Sequence, residues 1–379
     1  MLIIADSKIV NAESAFSSFG VVRTLRTPEI LRDAVNDADI LLVRSETHVN
    51  SSLLEGTRIG FVGTATIGTD HVDVEYLEHR RIRFASCPGS NANSVAEYVL
   101  ASLLEVSAQF NLGLRGKTLG VVGYGNTGSR VAKKAEAIGM TVVLNDPPLQ
   151  RETGSTHCRP LDELMEADFI SLHVPLTKTG IDATYHLFDE HRLSALKDGC
   201  VLVNSSRGAV VETQALKKAL RSGRLRASVL DVWEGEPLIN TELLECVGLG
   251  TPHIAGYSYD GKLNATIMLQ RAIAEAFNLT LTPESEPSAV ALQRLSVPEN
   301  QSSMEETLRQ VVKQCYDIRE DDTNLRSLLQ LPSADAAEHF RKLRATYRTR
   351  REFHNFVVEG SRCDEVMRTI FRSVGFNIK

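Results

Sequence analysis

The chain has 379 residues, 42% of them hydrophobic and 24% charged, with a net charge of −6. That length holds two or three domains at roughly 100–200 residues each, and the composition lets them bury sizeable cores. The weak negative charge excludes the broad basic field that nucleic acid or an anionic membrane surface selects, and no run of about 18 apolar residues reads as a transmembrane helix.

Met1 to Asp6 starts as a short strand that meets an acid at once, without the basic and long apolar regions of a leader. The six cysteines are scattered and form no Cys-x-x-Cys, so a reduced cytoplasmic protein with free, mostly buried thiols is expected. Residues 2–5, 40–43, 59–62 and 82–85 read as strands, with helical stretches such as 28–36 between them. This βα repeat predicts a parallel sheet with helices on its faces. Ser94 and Glu97 have capping-box spacing, and Ala96, Leu100, Leu103 and Leu104 then recur at helical period. A long helix is therefore expected to lead into a second unit.

That unit opens with a buried strand at 118–122 and continues with strands at 142–145, 169–173, 201–204 and 227–231. A helix over 260–277 can return the chain to the first unit. The expected organisation is a discontinuous substrate-binding domain, 1–93 with 257–285, and a dinucleotide-binding domain, 94–256, with a cleft between them. The Pro-, Ser-, Thr- and Glu-rich stretch at 280–287 reads as a linker. Beyond it, 286–379 is expected to be a small third domain. There Leu308, Val311, Val312 and Cys315 line one helical face, expected to be an exposed apolar surface that favours pairing with a second copy; a basic stretch spans 341–351, and 356–378 reads as strand, helix, strand. The fold class is α/β: two Rossmann-like, doubly wound parallel-sheet domains and a C-terminal α+β domain.

The sharpest local motif is Gly123-Tyr124-Gly125-Asn126-Thr127-Gly128. A lone GxGxxG says little, but this one follows a strand, opens a helical run, and has Asp146 18 residues beyond Gly128 at the end of the next strand. Gly123 suits the tight turn, Gly125 close approach of a pyrophosphate, and Gly128 helix–strand packing. The helix N-terminus offers its N–H groups to the phosphates. Asp146 suits ribose hydroxyls and would repel a 2′-phosphate, which favours NAD over NADP.

Oxidising a 2-hydroxy acid further needs a cation for the carboxylate, a base for the hydroxyl proton, and a group that tunes the base. Three loops at strand ends offer these. Arg207 follows the strand at 201–204, Glu236 the strand at 227–231, and His253 lies in the next loop. Taken singly, each has a plain structural reading: a solvated arginine, a surface glutamate before proline, a core histidine. Their order and loop positions argue for chemistry.

The strings RGAVV (207–211), LDVWEGEP (230–237) and PHIAG (252–256), behind VVGYGNTG (121–128), resemble the D-2-hydroxyacid dehydrogenases. So do the separations of 29 residues from Arg207 to Glu236 and 17 from Glu236 to His253. The resemblance implies that His253 handles the proton, Glu236 pairs with it, and Arg207 binds the carboxylate and carbonyl. It places Asn126 and Thr127 at the pyrophosphate, Asp231 near the nicotinamide, and Gly256 beside the cofactor. Ser45, Thr66 and Tyr257 are similar to substrate contacts of the family. The pair Ser205-Ser206 stands where members vary among small residues.

Further strings are similar to one branch of the family: VRSETHVN (43–50), FVGTATIGTDHVD (61–73), ASCPGSNANSVAEYV (85–99), CYDIREDD (315–322) and RREF (350–353). That branch implies a phosphorylated four-carbon acid, a place in pyridoxine biosynthesis, and a homodimer built through the C-terminal domain. Arg44, next to Ser45 at a strand end, is the expected partner of the substrate phosphate.

No metal is expected. His71 and Asp73 have HxD spacing without further ligands, which favours a helix N-terminal role. His173 is expected to serve packing, and His157 and Cys158 read as exposed loop. The alternatives are a sibling such as phosphoglycerate dehydrogenase or glyoxylate reductase, and a nonenzymatic NAD(H)-sensing protein. The tail lacks the motifs of an amino-acid-sensing domain, Glu236 disfavours a formate dehydrogenase, and the Arg–Glu–His set argues against a mere sensor.

Overall fold

The computed structural model describes residues 1–281, 292–299 and 302–379. It forms two compact units: one holds Met1–Asn91 and the helix Tyr259–Phe277, the other holds Ala92–Tyr257 and the described C-terminal tail.

The first unit is a five-stranded parallel sheet. Its strands are β1 (Leu2–Asp6), β2 (Val21–Leu25), β3 (Ile40–Val43), β4 (Phe61–Thr64) and β5 (Arg83–Ala85), in the order β2-β1-β3-β4-β5. β1, β3 and β4 are almost wholly buried because helices cover both faces, so they read as continuous apolar runs. β2 escaped the sequence reading. It is an edge strand whose residues are exposed or half-buried, and its sequence, Val-Val-Arg-Thr-Leu, lacks a long apolar run. The region 28–36 forms a 3₁₀ turn, Thr27–Glu29, and one helical turn, Arg32–Val35, rather than one helix. The returning helix Tyr259–Phe277 packs Ala265, Leu269 and Ile273 into this unit's core. Strand order reverses between β1 and β3, and in such sheets ligands bind at the carboxyl ends beside the reversal. Arg44 and Ser45 follow β3 there.

The second unit holds β6 (Thr118–Val122), β7 (Thr141–Asn145), β8 (Phe169–Leu172), β9 (Cys200–Asn204), β10 (Leu225–Leu230) and β11 (Leu249–Gly250). All pair in parallel, in the order β11-β10-β9-β8-β6-β7, with the reversal between β6 and β8. The tail adds a small parallel sheet, β12 (Gln293–Ser296), β13 (Phe356–Glu359) and β14 (Asn377–Ile378). The strand–helix–strand closing expected from the sequence is β13, the helix Glu365–Val374 and β14.

Two expectations fail in instructive ways. The helix Ala92–Phe110 begins ahead of Ser94, so Ser94 and Glu97 form no capping box. Both are buried and face the tail: Ser94 Oγ donates to Glu352, and Glu97 Oε1 accepts from the backbone N–H of Phe353 at 3.0 Å. The apolar face of the helix Met304–Cys315 is not exposed either. Leu308, Val311 and Val312 are buried in one cluster with Val99 and Leu103 of the helix Ala92–Phe110. At about 1.5–3 kcal/mol for each fully buried aliphatic side chain, this seam joins the tail firmly to the dinucleotide-binding sheet. The part of the 280–287 linker from residue 282 on, and residues 286–291 of the expected third domain, lie outside the described residues.

All six cysteines are free, and four are buried. Cys158 is among the buried ones, against expectation, because it forms an isolated bridge with Leu144 of β7; His157 is exposed as expected. Among the described residues no helix is long and apolar enough to cross a membrane, and no cluster of His, Cys, Asp and Glu is suited to a metal.

Candidate active site

The glycine loop joins β6 to the helix Asn126–Ala137, with Gly125 as its N-cap. Gly123 has φ +88°, and a Cβ there would lie 2.7 Å from the carbonyl oxygen of His173. A Cβ on Gly128 would collide with the carbonyl of Gly123. These two glycines are needed by the fold itself. Gly125 differs: it is exposed, and among the described residues a Cβ on it would meet nothing within 4 Å, so the loop is open there. A pyrophosphate lying on the helix N-terminus, beside Asn126 and Thr127, fits that opening.

Asp146 is anchored at the end of β7. Its Oδ2 accepts from the Tyr124 N–H at 2.8 Å and its Oδ1 from the Leu149 N–H at 3.0 Å. The carboxylate thus ties the glycine loop to the next helix and keeps lone pairs for ribose hydroxyls. Nearby at the strand ends, the Ser205 hydroxyl and His173 Nδ1 are buried without a hydrogen-bond partner among the described residues. Buried polar atoms usually have partners, and a dinucleotide would supply them. The donor set therefore fits NAD. Burial holds the His173 imidazole down to about 3, so it stays neutral and cannot carry the reaction's proton.

The three expected catalytic residues sit on loops after β9, β10 and β11. Asn204 ends β9, and its side chain folds the Arg207 loop: Oδ1 accepts from the Ser206 N–H at 3.0 Å, and Nδ2 donates to the Arg207 carbonyl at 2.9 Å. Gly208 follows, and a Cβ on it would collide with the backbone of Trp233 and Glu234. The loop of Arg207 is thus pressed against the loop of Glu236. Trp233 Nε1 donates to the Thr251 carbonyl at 3.0 Å, which ties the Glu236 loop to the His253 loop in turn.

His253 Nδ1 lies 2.8 Å from Glu236 Oε1. With the proton on Nδ1, Nε2 is left as the accepting nitrogen. Among the described residues, Glu236 Oε2 is buried without a hydrogen-bond partner. His253 has φ +56°, a left-handed conformation that costs a non-glycine residue of order 1–3 kcal/mol unless its surroundings hold it. Asp231 is one such holder. Only 1% exposed, its carboxylate accepts from Thr251 Oγ1 at 2.6 Å, the Ile254 N–H at 2.8 Å and the Ala255 N–H at 2.9 Å. Burial raises its pKa, and the His253 charge and these hydrogen bonds oppose the rise. The Asp231 carboxylate organises the 251–255 loop. The Tyr257 hydroxyl accepts from Arg344 Nη2 of the tail at 3.1 Å.

In the first unit, the Thr66 hydroxyl is 2.7 Å from that of Thr64 and donates to the Gly68 carbonyl at 2.9 Å. His71 Nε2 lies 2.9 Å from Thr64 Oγ1, so the histidine supports this hydroxyl pair, while Asp73 caps the helix Val74–His79. Arg44 shares its neighbourhood with Lys262 and Lys8. The Lys262 ammonium is pushed down to about 8 by burial, then by the charges of Arg44 and Lys8. The sequence did show one sign of this: Lys262 lies in the first turn of its helix, where the dipole disfavours a cation. Asn204, Gly208, Lys8 and Lys262 were otherwise unmarked, because loop packing and charge proximity do not repeat with any sequence period.

Residues 94–255 match the D-isomer specific 2-hydroxyacid dehydrogenase, NAD binding domain, and residues 288–375 match a domain of unknown function, DUF3410. The chain is 45% identical to erythronate-4-phosphate dehydrogenase of Salinibacter ruber, over 95% of this chain and 94% of the relative. It is 40% identical to the same enzyme of Marinobacter nauticus, over 100% of both. Among solved structures it is similar to D-lactate dehydrogenase from Aquifex aeolicus complexed with NAD and lactic acid, at 26% identity and a TM-score of 0.60, covering 73% of this chain and 96% of that one. With the near-complete overlap at these identities, the chain belongs to the erythronate-4-phosphate dehydrogenases, within the D-isomer specific 2-hydroxyacid dehydrogenase family.

Proposed function

We propose that this chain oxidises 4-phospho-D-erythronate to 2-oxo-3-hydroxy-4-phosphobutanoate with NAD, in the cytoplasm, as a step of pyridoxine biosynthesis. The observation that carries the reading is the His253–Glu236 pair at 2.8 Å, which joins two loops beside that of Arg207. NAD, when bound, supplies the hydride acceptor. Arg207 holds the substrate carboxylate and polarises the C2 oxygen. His253 Nε2 takes the C2 hydroxyl proton as the C2 hydrogen leaves with its electron pair, and Glu236 stabilises the resulting imidazolium. Gly123, Gly125, Asn126, Thr127, Gly128, Asp146, Asp231 and Gly256 are the proposed cofactor residues, and Arg44, Ser45, Thr66 and Tyr257 the proposed substrate contacts.

Residues 286–379 are proposed as a dimerisation domain. Leu292, Leu331 and Val366 of the tail are exposed large apolar side chains that a second copy would cover. The test of function is an initial-rate screen of D-2-hydroxy acids with and without a terminal phosphate. 4-Phospho-D-erythronate should give the highest kcat/KM. A higher value for 3-phosphoglycerate, glyoxylate (followed in reduction) or an unphosphorylated acid would reject the substrate assignment, and no turnover at all would favour a nonenzymatic NAD(H)-binding role.

A further inference from the structure

The tail does more than pack beside the dinucleotide-binding sheet. It grips the segment that carries His253 at several points. Asp322 Oδ1 accepts from the Gly250 N–H at 2.7 Å, three residues before the histidine. Arg350 Nη2 donates to the carbonyl of Ala255, two residues after it, and to the carbonyl of Ser94 at 2.9 Å. Arg326 donates to the carbonyls of Leu244 and Val247, both at 2.9 Å, just ahead of β11. Asp322 holds Arg326 in turn, accepting from its Nε at 2.9 Å.

Arg350 is built into this position. It is 4% exposed, and its guanidinium lies 4.5 Å from the ring centroid of buried Tyr316. A buried arginine is costly unless its charge is answered and its donors are used. Here Asp321 supplies nearby negative charge and two carbonyls take hydrogen bonds from Nη2, while Nη1 is buried without a hydrogen-bond partner among the described residues. One of those carbonyls belongs to Ala255, whose N–H is already held by Asp231. Ala255 is thus fixed from both sides, by the sheet through Asp231 and by the tail through Arg350. His253, at φ +56°, needs such determination, because a left-handed histidine relaxes when its neighbours are released.

We propose that the C-terminal tail is a brace for the catalytic loop, with Arg350 as a positioning residue that keeps His253 in line with Glu236. The catalytic half of this proposal rests on the role given to His253 above; the structural half does not. It assigns the tail a part in chemistry within its own chain, distinct from any part in assembly.

Arg350→Lys keeps the charge but replaces a planar fork with a single ammonium that cannot serve both carbonyls in the same way. In the full-length variant, kcat for 4-phospho-D-erythronate should fall tenfold or more while KM for NAD stays within twofold. Amide hydrogen exchange should quicken at least tenfold over residues 253–257 and stay unchanged in β6. A folded variant with wild-type kcat and wild-type exchange in that loop would overturn the brace. So would a loss of kcat that tracks loss of the dimer by light scattering, since the effect would then lie in assembly. If Arg350→Lys does not fold, Asp322→Ala decides, because it removes only the acceptor of the Gly250 N–H and its hold on Arg326. Faster exchange over 250–255 with lower kcat is then expected, and no change in either rejects the proposal. Wild-type turnover is the control: if wild type is inactive on this substrate, the assigned reaction fails, while the exchange measurement still tests the brace.

Discussion

At the scale of single residues, His253 and Glu236 carry the proton chemistry proposed here. His253→Ala should lower kcat by about 10²–10⁴, the usual share of general acid–base catalysis. Glu236→Gln should move the low-pH limb of the rate profile to lower pH, because the amide no longer stabilises the imidazolium. An unchanged profile would remove Glu236 from the mechanism. Asp146 predicts a higher kcat/KM with NAD than with NADP, and the reverse order would withdraw its ribose role. Lys262 makes a prediction with two signs. Its pKa falls to about 8, below the ordinary lysine value, so in the folded state the charged form is disfavoured. The cost to stability is complete below pH 8 and is relieved as pH rises from 8 toward the unfolded value, since the unfolded chain then holds more protons. Lys262→Met should therefore raise Tm at pH 7, with a smaller gain at high pH. If Lys262 and Arg44 serve the substrate phosphate, the same variant should raise KM for the phosphorylated substrate and leave an unphosphorylated analogue unaffected. Equal effects on both substrates would confine Lys262 to stability.

At the scale of elements, the site is a matter of loops fastened to strand ends. β9, β10 and β11 are adjacent and parallel, so their carboxyl-end loops emerge side by side. Gly208 then lets the Arg207 loop lie against the backbone of Trp233 and Glu234. Gly208→Ala must separate them, and a misplacement of about 1 Å can cost on the order of 10²-fold in rate. A fall in kcat of that order is expected, with NAD binding by fluorescence unchanged. Wild-type kcat in this variant would mean that the loops can part without consequence. Much of this arrangement was legible: most strands and the GxGxxG turn follow from apolar runs and glycine spacing. β2 was not, because an edge strand is half-exposed and its pattern is diluted. The capping-box reading of Ser94 and Glu97 went astray because the same spacing serves a helix whose polar residues are buried against another segment.

At the scale of the whole molecule, the tail is the decisive part. The apolar face of Leu308, Val311 and Val312 suggested a surface for a second copy, yet it is covered by the chain's own helix Ala92–Phe110. A chain ending at Pro283 would bare Val99 and Leu103 on that helix, so it should be poorly soluble or unfold at lower temperature than the full chain. A soluble, equally stable product by differential scanning calorimetry would show that the seam contributes little. Dimerisation should then depend on other surface. Val366→Asp, on the outer side of the helix Glu365–Val374, should weaken a dimer seen by light scattering. A dimer of unchanged strength would place the interface elsewhere.

The sequence by itself determined the parallel α/β architecture and the glycine turn, and it singled out Arg207, Glu236 and His253 as the set proposed for catalysis, because these readings depend on local period, glycine geometry and the order of loops along the chain. Only the tertiary structure decided what holds those residues in place. Asp231 turned inward to the loop, Gly208 packed against Trp233, and Arg350 reaching from the tail to Ala255 are contacts between residues distant in sequence. Their partners share no spacing that a linear pattern could reveal, since they meet only after the core has set the strand ends side by side.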